Sequence, residues 1–140
     1  INGYYQYLCH TQTIHKLPRW YEYLFNTPSH HRVHHARNPK YLDSNYAGTL
    51  MIWDRMFGTF VPEDPKEPCD YGLVVPMTSL NPLRILFEEY ANIFKDITMR
   101  GITLKDRFMY LCGPPGWSHD GTRKTSTEIK EDYYNVLKNT

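Results

Sequence analysis

Four of the seven histidines of the chain lie within six positions, in the sequence HHRVHH (30–35). If this segment is helical, His31 lies one turn from both His34 and His35, with Cβ atoms roughly 5–6 Å apart. Two imidazoles at that separation can bind one metal ion, with metal–nitrogen bonds of about 2.0–2.1 Å in the case of zinc. His34 and His35 are adjacent, so they diverge by roughly 100° around the helix axis. One turn can thus present nitrogens in two directions, which suits two metal ions better than one.

Carboxylates are missing from the region of the histidine cluster. Between Glu22 and Asp43 there is no acidic residue, and the chain contains neither an HExxH nor an ExxH motif. This argues against a zinc protease and against a carboxylate-rich di-iron bundle. Neutral imidazole suits iron, copper, zinc or nickel, rather than magnesium or calcium. Asp43 and Asp54 are the nearest acids that could orient a ligand by accepting its second N–H. An all-histidine pair of irons is chemically coherent, but residue types alone do not choose the metal.

Other interpretations of the histidines remain open. Arg32, Arg37 and Lys40 could turn the cluster into a phosphate-binding patch, although neutral histidine anchors phosphate weakly and no wider basic face surrounds it. His15 and His119 stand alone and are interpreted as ordinary core or surface residues. The formal net charge of +1 gives no indication of a nucleic-acid partner.

Turn and cap residues predict the helix that would carry the cluster. In the sequence NTPS, Ser29 is predicted to cap the histidine helix. Asn38-Pro39 is predicted to end it, because the residue before a proline avoids the helical conformation. Upstream, residues 3–15 are predicted to form a helix or a helix end, and residues 19–25 a short apolar turn.

Downstream of the cluster, residues 46–60 are predicted to form a buried helix that ends near Gly58, with a strand as the alternative because the segment also contains Thr, Ile and Phe. Trp53 and Phe57 lie four positions apart in this segment, and we expect them to pack in the core rather than to line a substrate channel. Residues 61–79 contain four prolines and several charges, which predicts a loop.

The C-terminal part of the chain carries the clearest helix signals. Asn81-Pro82 predicts a cap and first turn. One face of the following helix is apolar, which predicts a face packed on the core, with a helix lying on a membrane surface as the alternative; its residues are Leu83, Leu86, Phe87, Tyr90, Phe94 and Ile97. TLKD (103–106) and TSTE (125–128) resemble capping boxes of two further helices, and CGPPGW (112–117) predicts a rigid turn.

Size and composition place these elements in one domain or in a piece of a larger protein. The chain has 140 residues, which suffices for one core. It begins without Met or a signal peptide, and no stretch reaches the 18 or more apolar residues of a membrane span. The three cysteines are widely spaced and form no CxxC pair, so we expect neither a disulfide framework nor a thiolate zinc site.

Several motifs together resemble the fatty acid hydroxylase/sterol desaturase superfamily. HRVHH fits its HxxHH box, and GTLMIWDRMFGTF (48–60) fits the WDxxFGT tail that follows the box. The longer sequence NTPSHHRVHHARNPKYLDSNYAG is similar to the glycerol-ether branch of that superfamily. YQYLCHTQTI (5–14), YGLVVP (71–76) and CGPPGW also resemble elements of this branch.

The resemblance implies a fold and a division of the chain. We expect a mainly α structure, the C-terminal helical portion of a multi-helix membrane di-iron hydroxylase with long irregular loops. Residues 1–117 would form the C-terminal part of the hydroxylase domain, with the histidine box at 29–38 and the tail at 46–60. Residues 118–140 would form a C-terminal helical tail.

The resemblance also implies an activity. The parent protein would be an integral membrane protein of the endoplasmic reticulum with a cytosol-facing di-iron centre. It would use O2 and tetrahydrobiopterin to hydroxylate the ether-linked carbon of an alkylglycerol lipid, and the hemiacetal would collapse to a fatty aldehyde and glycerol. A related sterol or fatty-acid hydroxylase or desaturase is the alternative within the superfamily, and a non-catalytic metal-binding remnant is the alternative outside it.

Site residues are carried over from the resemblance one by one. The expected iron ligands are His10, His31, His34 and His35. Residues expected around these ligands are Gln6, His30, Asp43, Asn45 and Asp54. The superfamily's two earlier histidine boxes and their membrane helices are missing from these 140 residues. We therefore expect a fragment that does not assemble a complete binuclear site alone.

Overall fold

The computed structural model of the chain describes residues 2–74 and 79–139. Its helices are α1 (Asn2–Cys9), α2 (Arg19–Leu24), α3 (Pro28–His35), α4 (Ile52–Phe57), α5 (Pro82–Ile97), α6 (Leu104–Cys112) and α7 (Ser126–Lys138), with a 3-10 turn at Pro39–Tyr41. Extended structure within these residues is limited to two isolated bridges, Phe25–Leu50 and Ala36–Tyr71. The predicted mainly α character is confirmed. The end of the YGLVVP segment and of the 61–79 loop, residues 75–78, lies outside the described residues.

The chain divides into two compact units, Ile1–Val74 and Val75–Thr140. The first unit contains the whole histidine cluster together with the WDxxFGT tail. The predicted division after residue 117 falls inside the second unit. That division was drawn from sequence resemblance, and it stays a prediction.

Helix α3 carries the cluster and begins earlier than predicted. Thr27 is the residue that precedes it, and Pro28 occupies its first position, where a proline has no N–H to lose and a φ angle already suited to a helix. The prediction that Ser29 caps the helix is wrong, because Ser29 lies inside it and its hydroxyl donates to Glu63. The helix ends at His35, since Ala36 is extended. Asn38 is also non-helical, as expected for the residue before Pro39, so the helix ends before this proline as predicted.

The hydrophobic core of the first unit forms where α3 packs against the 3-10 turn and the loop that follows α4. Val33 and Tyr41 are fully buried, and Ala36 joins them, with Val61 and Cys69 packed against this group. The hydroxyl of Tyr41 donates to the carbonyl of Glu67 and accepts the N–H of Asp64. Residues 61–69 therefore form an ordered loop held against α3, not a loose linker.

The segment 46–60 is less helical and less buried than predicted. Only Ile52–Phe57 is helical, although the predicted end at Gly58 is confirmed by its φ of 74°. The Asp54 carboxylate accepts the N–H groups of Tyr46 and Ala47, which fixes the start of the segment as a loop. Trp53 is 53% and Phe57 73% exposed, so the prediction that they pack in the core is wrong. The predicted helix over 3–15 likewise ends at Cys9.

Across residues 79–139, the second unit contains three helices with N-terminal caps, α5, α6 and α7. The Asn81 side chain accepts the N–H groups of Leu83 and Arg84, and both predicted capping boxes are present, at Thr103 and Thr125. CGPPGW forms a turn in which Gly116 has a φ of 85°.

The prediction that the apolar face of α5 packs on a core is wrong for the described residues, because α5 contains no buried residue. Leu83, Leu86, Phe87, Tyr90 and Phe94 are all more than half exposed. Within the second unit α5 packs against α6, and one helix covers only a narrow line of another. No helix among residues 2–74 and 79–139 is long and apolar enough to cross a bilayer.

Candidate metal centre

Three imidazoles converge where the end of α1 meets α3. The Nε2 atom of His31 lies 3.2 Å from Nε2 of His10 and 3.1 Å from Nε2 of His35. One nitrogen from each of the three rings lies within 4.8 Å of the other two. Two nitrogens bound to one ion at about 2.1 Å, with angles between octahedral and tetrahedral, are roughly 3.0–3.4 Å apart. The spacing of these donors therefore fits a shared metal ion.

Helix α1 brings His10 to this position. Cys9, the last residue of α1, is buried, and the hydroxyl of Tyr5 donates to the carbonyl of Asn26 just before α3. The Nδ1 atom of His10 lies 3.0 Å from the carbonyl oxygen of Gln6. Because a carbonyl can only accept, Nδ1 is the donor, and a neutral His10 ring then has on Nε2 the lone pair that a metal needs. Gln6 thus acts on His10 through its backbone.

His34 lies beside the three-histidine group but outside it. Its ring centroid is 5.8 Å from that of His31 and 5.1 Å from that of His35. Its Nδ1 atom donates to the carbonyl of Ser44 at 3.2 Å, so a neutral His34 ring keeps its lone pair on Nε2. Helix α3 therefore presents two nitrogens, those of His31 and His35, to the place where His10 joins them, and the nitrogen of His34 in another direction. That His34 is a metal ligand stays a prediction.

Burial keeps the central imidazole neutral. The pKa of His31 is lowered from 6.5 to about 4 by burial, assisted by repulsion from His35, His10 and His34. The pKa of His35 is also lowered, first by burial and then by the neighbouring His34 and His10. A ring that resists protonation near neutral pH offers its lone pair to a metal.

A cavity of about 430 Å³ adjoins the three nitrogens. It is lined by His10, His31, His35, Cys9, Gln12, Arg32, Tyr71 and Gly72. The wall opposite the helices comes from the segment that pairs with Ala36 through the bridge to Tyr71. The three-histidine group therefore faces a space that can admit a small ligand.

Two of the residues predicted to lie around the histidines, Asn45 and Asp54, hold the backbone near the three-histidine group. Asn45 is buried, and its side chain bonds to the carbonyl of His30 and to both the N–H and the carbonyl of Val61. Besides two N–H groups, Asp54 accepts the hydroxyl of Thr59. Asn45 thus links α3 to the segment after α4, and Asp54 organises the loop between them.

Asp43 and His30 also lie away from the three-histidine group. Asp43 is exposed, with a φ of 45°, and interacts with the side chain of Tyr46. His30 is buried, its ring packs edge-on against Phe60 at 5.3 Å, and burial lowers its pKa. The Nδ1 atoms of His10 and His34 face the carbonyls of Gln6 and Ser44, and that a carboxylate of Asp43 or Asp54 orients a metal ligand stays a prediction.

Two residues next to the ligands were missed by the sequence analysis as parts of the site. Arg32 lies between His31 and Val33, and was considered only as a source of charge for a phosphate patch. Its guanidinium forms a largely buried ion pair with Glu63, 31 positions further on, at 2.7 Å. The placement of Arg32 inside the box could have raised the question of its partner, but no sequence signal points to Glu63.

Comparison with known proteins shows what the part of the chain that carries this site is similar to. The family model described as fatty acid hydroxylase matches residues 1–59, which include His10 and the four clustered histidines. The chain is 57% identical over 116 residues to a Xenopus tropicalis protein named alkylglycerol monooxygenase, and 40% identical over 131 residues to the human protein of that name. This chain is homologous to the alkylglycerol monooxygenases. The family resemblance seen in the motifs is thereby confirmed.

The homology to alkylglycerol monooxygenases covers most of the chain but a small part of those proteins. The two matches include 83% and 93% of this chain, and 25% and 28% of the relatives. The chain therefore spans about a quarter of the length of these curated relatives. A shorter match, 36% identical over 50 residues, is to the ornithine lipid hydroxylase OlsE of Rhizobium tropici, and covers 36% of the chain and 15% of that protein. No solved structure matches the chain significantly.

Proposed function

We propose that the full-length protein carrying this chain is a di-iron monooxygenase that cleaves the ether bond of alkylglycerols, using O2 and tetrahydrobiopterin. The observation that carries the proposal is the convergence of three imidazoles: Nε2 of His31 lies 3.2 Å from Nε2 of His10 and 3.1 Å from Nε2 of His35. Homology to alkylglycerol monooxygenases supplies the substrate class.

The proposed reaction is a hydroxylation followed by a collapse. One oxygen atom of O2 enters a C–H bond of the carbon attached to the ether oxygen, and the other leaves as water. The two electrons come from tetrahydrobiopterin, which becomes a dihydropterin. The product is a hemiacetal, and breaking its bond to the ether oxygen gives a fatty aldehyde and glycerol. Iron, when bound, supplies the activation of O2 that this chemistry requires.

Within this chain, each histidine has a proposed part. His10, His31 and His35 would share one iron through Nε2. His34, which points elsewhere, would bind the second iron together with residues outside these 140. The carbonyls of Gln6 and Ser44 would keep the Nδ1 protons of His10 and His34 in place, so that both rings present Nε2 to metal.

The proposed iron ligands in this chain are imidazoles, which are suitable donors for iron but do not neutralise its positive charge. Three neutral imidazoles bring no negative charge, so bound oxide or hydroxide and more distant acids would balance the ions. The cavity of about 430 Å³ beside the nitrogens is where the reacting carbon would have to lie. Because the chain spans about a quarter of its relatives, the membrane-spanning helices and the remaining ligands would come from the rest of the protein.

The proposed location is the membrane of the endoplasmic reticulum, with the metal centre on the cytosolic side. An apolar lipid substrate is consistent with this location. The mainly helical character of the chain is consistent with a multi-helix membrane hydroxylase. Protease protection of tagged microsomal protein would check the orientation: cleavage of the first unit only after the membrane is permeabilised would contradict a cytosolic site.

The activity is tested on the full-length protein. Purified protein should contain iron and consume an alkylglycerol only when both O2 and tetrahydrobiopterin are present. His31→Ala should abolish the activity, whereas the matched control His119→Ala, in the second unit, should retain it. Activity that persists in His31→Ala would refute the site.

A second assay distinguishes the related chemistry. The homology to a lipid hydroxylase with another substrate shows that similar motifs occur in enzymes for other lipids. Replacing tetrahydrobiopterin by a cytochrome b5 system, with sterol or fatty-acid substrates, should give no turnover. Turnover only under those conditions would favour the alternative hydroxylase or desaturase. Iron binding with no turnover of any of these lipids would favour a non-catalytic metal-binding protein.

A further inference from the structure

We propose that Arg32, held by Glu63, is a positioning residue that keeps His10 in the metal centre. This inference rests on the proposed function in one respect only, that the three-histidine group binds metal. It assigns no contact between Arg32 and the metal or the substrate. The guanidinium acts on the backbone that follows His10.

The first part of the argument is the way the guanidinium is held. Arg32 donates from Nε to one oxygen of Glu63 at 2.8 Å, and from Nη2 to the other at 2.7 Å. The Arg32 and Glu63 side chains are only 10% and 19% exposed. A two-point contact of this kind fixes the plane of the guanidinium as well as its position. Glu63 also accepts the hydroxyl of Ser29 at 2.8 Å, so its carboxylate is tied to α3 at two places.

The second part is what the other donors of Arg32 bind. Nη1 donates to the carbonyls of Ile14 at 2.9 Å and Thr11 at 3.4 Å, and Nη2 donates to the carbonyl of His15 at 2.7 Å. These three carbonyls belong to the segment 11–15, which follows His10 directly and has no helical structure. Within the described residues, the hydrogen bonds that join this segment to α3 all come from Arg32.

The third part is the position of His10 between two supports. On its N-terminal side, α1 is fixed by the buried Cys9 and by the contact of Tyr5 with Asn26. On its C-terminal side, Arg32 fixes the segment 11–15. Arg32 follows His31 in the chain, so the same turn of α3 supplies a metal-facing nitrogen and the group that holds the partner ligand. If the C-terminal support is lost, the His10 ring is free to leave His31.

A lysine at position 32 cannot make the set of hydrogen bonds that Arg32 makes. An ammonium group is a compact charge with three donors, whereas the guanidinium presents five donors in one plane. Arg32 binds two carboxylate oxygens and three carbonyls at once, and this requires a planar fork. Arg32→Lys therefore keeps the charge of the site and removes the positioning. The matched control is Arg37→Lys, five positions further on, where the ion pair with Asp70 is exposed.

The test measures metal coordination in the full-length protein rather than turnover. Iron affinity and the number of imidazoles bound to iron, from X-ray absorption, are compared in the wild type, Arg32→Lys, His10→Ala and the double variant. Arg32→Lys should lower iron affinity by roughly 10–100-fold, as loss of a residue that orients a ligand does elsewhere. It should also lower the imidazole count, and Arg37→Lys should change neither quantity. The double variant should resemble His10→Ala alone, because both changes remove the same ligand.

Other outcomes would overturn the inference. Unchanged iron affinity and imidazole count in Arg32→Lys would do so. The inference would also fail if the loss of iron affinity in the double variant equalled the sum of the losses in Arg32→Lys and His10→Ala. If Arg32→Lys does not fold, Glu63→Gln keeps the shape and weakens the two-point contact, and it should give the same loss of one imidazole with a smaller change in affinity. An unchanged imidazole count there would equally contradict the inference.

The coordination readout separates this inference from the proposed function. Protein that loses an imidazole in Arg32→Lys, but whose wild type cleaves no alkylglycerol, would leave the positioning role intact and refute the activity. Wild-type protein that cleaves alkylglycerol, together with an unaltered iron centre in Arg32→Lys, would support the activity and refute the positioning role. Wild-type protein that binds no iron would overturn both. Amide hydrogen exchange over residues 11–15 should also rise in Arg32→Lys, with or without iron.

Discussion

The Nε2 atoms of His31 and His35 lie 3.1 Å apart on consecutive turns of α3. Backbone geometry alone sets this pairing, since residues four apart face the same side of a helix. His10 then joins from another helix, at 3.2 Å from His31. His31 is therefore the central ring of the three-histidine group, in contact with both of the others.

His31 and His34 should have separable effects on iron content. Because His31 belongs to the three-histidine group and His34 points elsewhere, His34→Ala should lower the iron per protein from about two to about one. His31→Ala should leave less iron than His34→Ala, because His31 is the central member of the three-histidine group and His34 lies outside that group. Iron analysis with His119→Ala as the control measures this. Equal iron contents in the two variants would contradict separate sites.

Acid should destabilise the metal-free protein through His31. The pKa of His31 is about 4 when folded and 6.5 when unfolded, so the unfolded state binds its proton first as the pH falls. The free energy of unfolding is therefore unaffected by His31 protonation above pH 6.5, and it falls progressively from pH 6.5 to about pH 4 as the unfolded state takes up the proton. His30 and His35, whose pKa values are also lowered, add in the same direction. Melting temperatures between pH 7 and pH 4 should therefore fall, and less steeply in His31→Gln. Identical slopes in the two proteins would show that His31 does not carry the effect.

Asp54 should matter for stability more than an exposed acid. Its buried carboxylate accepts two N–H groups and one hydroxyl. Hydrogen bonds to a charged group are worth about 1.5–3 kcal/mol each at most, and their losses overlap, so Asp54→Ala should cost roughly 3 kcal/mol. Asp70→Ala breaks an exposed ion pair and should cost about 0–1 kcal/mol. Thermal denaturation compares the two variants, and similar melting temperatures would count against this role of Asp54.

Gly58 should resist substitution for reasons of backbone conformation alone. Its φ is 74°, and an added Cβ would meet no atom within 4 Å. Alanine there should cost about 1–2 kcal/mol, because the left-handed conformation is unfavourable for a residue with a Cβ. Gly3 is the matched control, also with free space but inside α1, where alanine should stabilise by about 0.5–1 kcal/mol. A neutral Gly58→Ala would mean that the turn can relax.

The spacing of HHRVHH was enough to predict which histidines share a face, because helical geometry is local. The meeting of His10 with His31 was not a matter of spacing; it came from the resemblance of YQYLCHTQTI to a family element. The ion pair between Arg32 and Glu63 could not be predicted, since it joins residues 31 positions apart through a loop whose path no local rule fixes. Such contacts depend on tertiary packing.

The error over 46–60 has a specific cause. The apolar character of the segment predicted a long buried helix, but the carboxylate of Asp54 accepts the N–H groups of Tyr46 and Ala47. Side chains of this kind can replace helical hydrogen bonds by local ones. The exposure of Trp53, Phe57 and the α5 face shows a further limit. A pattern of apolar residues identifies a face but does not identify what covers it.

The contact between His10 and the carbonyl of Gln6 has a thermodynamic consequence. That carbonyl belongs to the last turn of α1, and the imidazole takes the place of a backbone donor there, since the N–H of His10 bonds to Tyr7 instead. Fraying of this turn would withdraw His10 from its partners, and a bound ion would suppress the fraying. Occupancy of the centre and order at the end of α1 are therefore two expressions of a single equilibrium, and each can be titrated by perturbing the other.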